Sequence, residues 1–153
     1  MDRKPTKSTT AIWVLLNVAH KQVTQTFEAE LRRAGLPPAN WYDVLWGLEM
    51  HPEGLRQNQL EQMSLFDQAN LSRTIKRMLQ DGLVSQVPAP EDRRGRILTI
   101  TDAGRALRLT MWKVYGGLIL SQIEERVPED KVEGLIEGLR ALVPDFDGLA
   151  PKE

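Results

Sequence analysis

The sequence predicts a mostly α-helical protein with one small β-hairpin, an α+β fold. Apolar residues recur at helical spacing over long stretches at both ends of the chain, which indicates long amphipathic helices there. Between them, the segment LVSQVPAPEDRRGRILTIT has the pattern of two strands around a charged turn. With 153 residues, 27% charged and 41% hydrophobic, the chain has the composition of an ordinary water-soluble protein, and we expect a single domain over residues 1–153.

The N-terminal part predicts one long helix over about residues 10–35. Its apolar stripe consists of Ile12, Leu16, Ala19, Val23, Phe27 and Leu31. Gly35 follows, where a helix C-terminus favours glycine, and residues 1–8 are expected to fray. The apolar run AIWVLLNVA imitates an export signal, but Asn17 interrupts it and the helical rhythm continues. No run reaches the length of a membrane span and there is no cysteine, so we expect a cytoplasmic protein that contacts no membrane.

Two further helices are predicted over about residues 102–143, followed by a frayed end over 145–153. Thr101 is expected to cap the first, which runs to about Arg126, and Pro128 opens the second. The apolar stripes consist of Leu107, Met111, Val114, Leu118 and Ile123 in the first helix, and of Val132, Leu135, Ile136, Leu139 and Leu142 in the second. The paired glycines inside the first helix, Gly116 and Gly117, indicate close packing or a bend.

These terminal stripes are too long to be covered by a small central domain. Two copies that pack their terminal helices together would bury the stripes, so we expect a homodimer. The alternative is an intramolecular three-helix core in a monomer.

The middle of the chain, about residues 40–101, is divided into short elements. Asn40 is expected to cap a short helix, and a second short helix is predicted over about residues 55–65. The clearest helix covers residues 67–80 and is closed by Gly82. The two strands of the hairpin follow it.

The helix over residues 67–80 has one apolar and one cationic face. Leu71, Ile75, Met78 and Leu79 share the first face, and Arg73, Lys76 and Arg77 lie on the second. Taken alone, a cationic face is most often a solvated surface. However, a short helix, a turn, a cationic helix and an arginine-rich hairpin follow one another in a winged helix-turn-helix. In that architecture the second helix enters the major groove of DNA, and the hairpin, called the wing, reaches the backbone or the minor groove.

Two segments, NLSRTIKRMLQDGLV and EDRRGRILTITDAG, resemble the DNA-binding core of the MarR family of transcriptional regulators. The family pattern is a recognition helix ending in Gly-Leu-Val, then a wing with Asp-x-Arg, Leu-Thr and a late glycine. The matching residues here are Asp92, Arg94, Ile100 in place of the leucine, Thr101 and Gly104. The resemblance implies a DNA-binding regulator, usually a repressor. It also implies that the helices over about 10–35 and 102–143 form a dimer on a roughly palindromic operator.

The resemblance also implies roles for individual residues of the wing. Arg94 would reach into a minor groove, and Asp92 would orient it and hold the tip through a salt bridge. Residues 88–95 form the predicted tip, in which Gly95 allows a tight reversal that turns the arginines outward. Arg93 and Arg96 are candidates for phosphate contacts, although they also fit a role in solubility alone.

On the recognition helix, six residues are candidates for contacts with base edges or phosphates. They are Gln68, Asn70, Ser72, Arg73, Lys76 and Arg77. Asparagine and glutamine can pair with adenine, and arginine can pair with guanine. We expect Lys76 and Arg77 to meet phosphates or to pair with acids of the wing.

Aromatic residues are frequent in the segments that would join the dimer helices to the DNA-binding part. The resemblance implies a small aromatic or anionic effector at that junction, and the candidate ligand residues are Trp13, His20, Trp41, Trp46 and Trp112. The alternative is that the rings belong to the hydrophobic core.

Enzyme chemistry has little support in the sequence. His20 and His51 are far apart, no metal-ligand spacing joins either to a partner, and there is no glycine-rich phosphate loop. We therefore expect no catalytic residue, metal or cofactor. The main alternative to a DNA-binding regulator is a winged-helix module that contacts an acidic protein partner without specific DNA binding.

Overall fold

A computed structural model describes residues 4–63 and 68–144 and confirms the predicted α+β class. The elements are α1 (Lys7–Arg33), α2 (Ala39–Glu49), β1 (Leu55–Arg56), α3 (Gln57–Gln62), α4 (Gln68–Gln80), β2 (Val84–Ala89), β3 (Asp92–Ile100), α5 (Asp102–Ile119), a π-helical turn (Leu120–Glu124) and α6 (Glu129–Leu142). The chain divides between Gly116 and Gly117 into two compact units.

The core of the first unit lies between α2, α3, α4 and a three-stranded antiparallel sheet. Fully buried Leu45, Leu48, Leu60 and Met78 belong to one apolar cluster, which continues onto the sheet. The strand order is β1-β3-β2, so the hairpin gains a third, two-residue strand that pairs Leu55 with Leu98. Burying such apolar side chains contributes about 1.5–3 kcal/mol each, which holds the hairpin against the helices.

Helix α4 buries the face that its periodicity predicts. Leu71, Ile75 and Met78 are at most 4% exposed. The predicted helix-closing glycines, Gly35 and Gly82, have φ values of +68° and +70°, a backbone conformation that side chains with a β-carbon rarely adopt.

The start of α1 differs from the prediction. The helix begins at Lys7, three residues before its predicted start, because the backbone N–H of Thr9 donates to the Thr6 hydroxyl at 3.1 Å and so caps the helix there. Residues 7 and 8, expected to fray, are therefore helical. The frayed end predicted over 145–153 lies outside the described residues.

The start of α2 also differs from the prediction, since Asn40 does not cap it. The helix begins at Ala39, whose N–H donates to a carboxylate oxygen of Glu28 at 3.1 Å, so α1 supplies the cap. The Asn40 amide instead donates to the Thr74 hydroxyl of α4 at 3.2 Å. Leu55, predicted to begin a helix, lies in β1, because its backbone pairs with the hairpin.

Helix α5 begins as predicted and ends differently. The Thr101 hydroxyl accepts from the N–H of Gly104 at 3.1 Å, which confirms the cap. The prediction extends this helix to about Arg126, whereas α5 ends at Ile119 and a π-helical turn follows from Leu120. The close packing considered at Gly116 and Gly117 is not found among the described residues, since a β-carbon at either would meet nothing within 4 Å.

The stripe of α6 is exposed, with Leu135 46% and Leu139 42% accessible, and Pro128 precedes the helix as predicted. In α1, Trp13 is 68% exposed and Leu15 66%. Even so, none of the helices in the described part of the chain has the length and apolar run that crossing a bilayer requires.

Candidate nucleic-acid interface

The outer face of α4, the face opposite its buried residues, projects from the first unit. Asn70, Ser72, Arg73, Lys76 and Arg77 are all exposed there. The side chain of Gln68, the sixth candidate, and residue Asp67 lie outside the part of the chain that the structure describes. Packing of the opposite face holds α4 in place. The exposed arginine and lysine side chains make its outer face positively charged.

Ser72 and Arg77 each have a polar partner within the protein. The Ser72 hydroxyl accepts from the amide of Gln57 at 2.6 Å, and the guanidinium of Arg77 donates to Asp81 at 3.1 Å. Arg77 therefore pairs with an acid of its own helix end, not with the wing. No ion pair of Arg73 or Lys76 is found within residues 4–63 and 68–144, so both cations are available to an anionic partner.

The wing differs from the predicted strand-tip-strand layout. The chain reverses at Pro90–Glu91, and β3 already begins at Asp92. The cross-strand pairs pass from Pro88–Arg96 directly to Ala89–Asp92, which leaves three residues of β3 without a partner residue in β2. We call these three, Arg93, Arg94 and Gly95, the arginine bulge.

The predicted tip over residues 88–95 and the predicted reversal at Gly95 are therefore wrong. Gly95 does not have a positive φ and belongs to the bulge. The physical reason is that a bulge accommodates the extra residues inside a strand and twists it locally, so no open loop is needed. Arg94 and Arg96 are exposed, whereas the side chain of Arg93 lies outside the described part.

Asp92 holds the arginine bulge through two contacts. Its Oδ1 accepts from the backbone N–H of Arg94 at 2.9 Å. Its Oδ2 lies 3.9 Å from Nη1 of Arg56, which follows Leu55 in β1. Asp92 thus orients Arg94 through the backbone. The salt bridge expected at the tip is made with Arg56, which no sequence pattern places at the wing.

A second cluster lies where α1, α2 and α5 meet within the first unit. We call Phe27, Tyr42, Trp112 and Tyr115 the aromatic cluster. The ring of Tyr42 stacks on Tyr115 with centroids 4.3 Å apart and faces Trp112 at 6.2 Å, and Phe27 meets Tyr115 edge-on at 4.9 Å. Buried Leu31 and Met111 lie in the same apolar group.

Three of the five predicted ligand residues lie at the aromatic cluster or pack against the same apolar group, and the other two lie elsewhere on α1. Trp41 and Trp46 pack against the same apolar group, and Trp112 belongs to the aromatic cluster. Trp13 and His20 lie on the exposed part of α1, and no contact between them and the cluster is found among the described residues. The spacing of Trp112 and Tyr115, three apart in one helix, indicates a shared face, whereas Tyr42 and Phe27 join them only through packing.

The charged groups beside the aromatic cluster are mainly acidic. Burial, together with the negative charge of Glu28, raises the pKa of the Asp43 carboxyl to about 6. Burial also raises the pKa of Tyr42 and of Tyr115. The nearby guanidinium of Arg108 pairs with Glu49. Sequence periodicity does not bring Asp43 and Glu28 together, because they come from different helices.

Comparison with known proteins gives a consistent result. The model of the MarR family matches residues 34–95. The transcriptional activatory protein BadR of Rhodopseudomonas palustris is 35% identical over 92 residues, 58% of this chain and 49% of that protein. The HTH-type transcriptional repressor IacR of Pseudomonas putida is 31% identical over 85 residues, 56% of this chain and 50% of that protein. The chain spans about half the length of the curated relatives it matches.

The fold has close counterparts among solved structures. Sco3205 of Streptomyces coelicolor, a MarR family transcriptional regulator in complex with DNA, matches with a TM-score of 0.83. The likeness covers 97% of this chain and 94% of that one, at 19% identity. It confirms the predicted winged helix-turn-helix fold.

Proposed function

We propose that this chain is a member of the MarR family and a sequence-specific DNA-binding transcriptional regulator. The observation that carries the proposal is that one rigid unit presents two exposed cationic features, the outer face of α4 and Arg94 in the arginine bulge. The net charge of the whole chain is −1, so attraction to DNA depends on these local surfaces. In this proposal α4 enters the major groove and Arg94 reaches a minor groove, which are the positions of the second helix and the wing in winged helices bound to DNA.

The DNA partner is a roughly palindromic operator bound by a homodimer. The exposed apolar residues of α1 and of α6 support this assignment, because water-exposed apolar surface of this extent marks an interaction site. Residues 40–101 act as the DNA-binding core, and the helices over 10–35 and 102–143 act in dimerisation. Two-fold symmetry of the protein is then matched by two half-sites about one helical turn apart.

Repression is the proposed action, in the cytoplasm, and we propose no catalytic role. BadR is named an activatory protein and IacR a repressor, so the relatives of this chain include regulators of both kinds. In vitro transcription from a promoter that carries the operator tests the direction of regulation. Reduced transcript with added protein supports repression, and increased transcript contradicts it.

The effector is a small aromatic molecule that binds beside the aromatic cluster. Asp43 and Glu28 both act electrostatically on Tyr115, so an anionic ligand would meet two carboxylates there. A neutral ring therefore fits the site better than a carboxylate. A neutral phenol should quench tryptophan fluorescence and release the operator over one concentration range, since linkage requires that the effector prefer the DNA-free state. Stronger action by benzoate would contradict this assignment of charge.

Selection of bound fragments from the source genome tests DNA binding and identifies the operator in the same experiment. We expect enrichment of a short, roughly palindromic sequence. The rival function is a protein-interaction module whose α4 and wing contact an acidic partner. Recovery of no sequence above background, together with weak binding equally displaced by any polyanion, would support the rival and overturn the proposal.

A further inference from the structure

Arg56, the last residue of β1, lies against the arginine bulge. Its guanidinium Nη1 is 3.9 Å from the Asp92 carboxylate, and a β-carbon built at Gly95 would collide with the same guanidinium nitrogen and lie 3.2 Å from Cζ. Gly95 thus leaves room for the planar group of Arg56 beneath the bulge. An alanine there would displace it.

The side chain of Gln57, the next residue, is hydrogen-bonded to α4, the proposed recognition helix. Its side-chain amide donates to the Ser72 hydroxyl of α4 at 2.6 Å and to the Glu61 carboxylate at 3.2 Å. The backbone N–H of Arg56 also donates to the Gln59 side chain at 2.7 Å, which fixes the start of α3. Two consecutive residues therefore contact the two features assigned to DNA.

We propose that Arg56 and Gln57 are positioning residues that set the spacing between the arginine bulge and α4. This inference rests on the proposed function. Major and minor grooves lie at a fixed separation in B-DNA, so α4 and Arg94 can engage together only if the protein holds them at the matching distance. Neither Arg56 nor Gln57 needs to touch the DNA itself.

The length and exposure of the Arg56–Asp92 ion pair favour a role in positioning the bulge over a contribution to folding stability. The Arg56–Asp92 pair is long at 3.9 Å, and its two side chains are 34% and 52% exposed. Such partly solvated pairs contribute little to folding stability. The pair instead keeps the Arg56 guanidinium beside Gly95. It also keeps the Asp92 carboxylate in place to accept from the backbone N–H of Arg94.

A double-mutant cycle on operator affinity tests the role of Arg56. We expect Arg56→Ala to weaken operator binding about tenfold, an effect of the size of one good groove contact. Because Arg56 acts through Arg94, Arg56→Ala should add almost nothing in a chain that already carries Arg94→Ala. Gly95→Ala should reproduce Arg56→Ala by displacing the guanidinium. Lys4→Ala, which removes one exposed cation that precedes α1, should leave affinity unchanged.

A cycle with additive losses for Arg56→Ala and Arg94→Ala would overturn the inference for Arg56, since it would mean that Arg56 acts independently of the wing. Likewise, Gln57→Ala should be non-additive with Ser72→Ala and also with Arg94→Ala, because the spacing between α4 and the bulge matters only while Arg94 is present. Additivity of Gln57→Ala with Ser72→Ala would overturn the inference for Gln57. Thermal unfolding of each variant confirms that it remains folded.

Amide hydrogen exchange of the DNA-free protein separates this inference from the proposed function. We expect Arg56→Ala to speed exchange of the Arg94 amide several-fold, because the aspartate that accepts from it loses its own anchor. Lys4→Ala should leave that amide unchanged. If the native protein binds no operator, the proposed function fails while the exchange result still decides whether Arg56 orders the bulge. Unchanged exchange in Arg56→Ala would overturn the positioning role.

Discussion

Arg94 combines an exposed side chain with a restrained backbone. Its N–H is held by Asp92 at 2.9 Å, and the bulge directs the residue out of the cross-strand pairing. A guanidinium presented in this way retains its charge and loses less conformational freedom on binding than one on an open loop. The same side chain on a mobile tip would bind DNA less specifically.

Replacement of Arg94 by alanine should lower operator affinity by about 1–3 kcal/mol for each half-site. The comparison variant is Lys76→Ala, which removes a cation of α4 assigned to a phosphate. It should weaken binding to all sequences alike and reduce the slope of affinity against salt by about one. Fluorescence anisotropy with operator and scrambled DNA at several salt concentrations measures both. Unchanged operator affinity in Arg94→Ala at physiological salt would contradict the wing assignment.

Asp43 is a half-buried carboxylate whose pKa is raised to about 6 by burial and by Glu28. Between pH 4 and pH 6 the folded protein therefore holds this proton more tightly than the unfolded chain does. The free energy of unfolding consequently falls as pH rises through this window. Above pH 6 the folded protein carries the full cost of an ionised Asp43 carboxylate.

The substitution Asp43→Asn removes this cost. We expect a gain of about 1–3 kcal/mol per chain at pH 7.5 and a much smaller gain at pH 4.5. Urea unfolding at matched protein concentration measures the difference, with the exposed Glu53→Gln as control. An equal gain at both pH values would show that the amide acts by a new contact and not by removing a charge.

At the level of the secondary-structure elements, Thr101 joins the end of α4 to the start of α5. Its hydroxyl donates to the carbonyl of Gly82 at 2.7 Å, just beyond α4, and accepts from Gly104 at the start of α5 at 3.1 Å. A β-carbon at Gly104 would collide with the Leu83 carbonyl, so the glycine permits this close approach. The Thr and the late Gly of the sequence motif are thus explained by backbone geometry.

Thr101→Val keeps the shape of the side chain and removes both hydrogen bonds. We expect a loss of about 1–2 kcal/mol in the free energy of unfolding, as for other N-cap residues. Thr110→Val is a matched control, since its hydroxyl only donates to a carbonyl within its own helix. Equal losses in the two variants would show that Thr101 has no special role in joining the elements.

At the scale of the whole molecule, apolar surface that one chain leaves exposed indicates assembly. In α6, Leu135, Leu139 and Leu142 are each more than 40% accessible, and α1 exposes Ile12, Trp13 and Leu15 to a still greater extent. Monomeric proteins seldom leave contiguous apolar surface of this kind in water.

Sedimentation of the native protein at micromolar concentration should show a dimer. Leu135→Glu should shift it towards the monomer, because a carboxylate buried without a partner is costly. Residues 40–101 should keep their fold in this variant, as judged by near-ultraviolet circular dichroism. Leu135→Met, of similar volume, should remain dimeric. A Leu135→Glu dimer of native stability would contradict the assignment of α6 to the interface.

Elements that depend on local interactions could be predicted from the amino-acid sequence. Apolar residues at helical spacing predicted α4 and its buried Leu71, Ile75 and Met78, because one helix face must be covered. Thr101, Gly35 and Gly82 were predictable as helix ends, since caps depend on a few neighbouring residues.

Features that depend on residues distant in sequence could not be predicted and became visible only in the folded chain. The cap of α2 comes from Glu28 instead of Asn40, and the partner of Asp92 is Arg56 instead of a wing arginine. The arginine bulge depends on strand register, which is set by pairing across the hairpin and against β1. No local pattern encodes these contacts, because hydrogen bonds and ion pairs form with whichever groups packing of the core brings within reach.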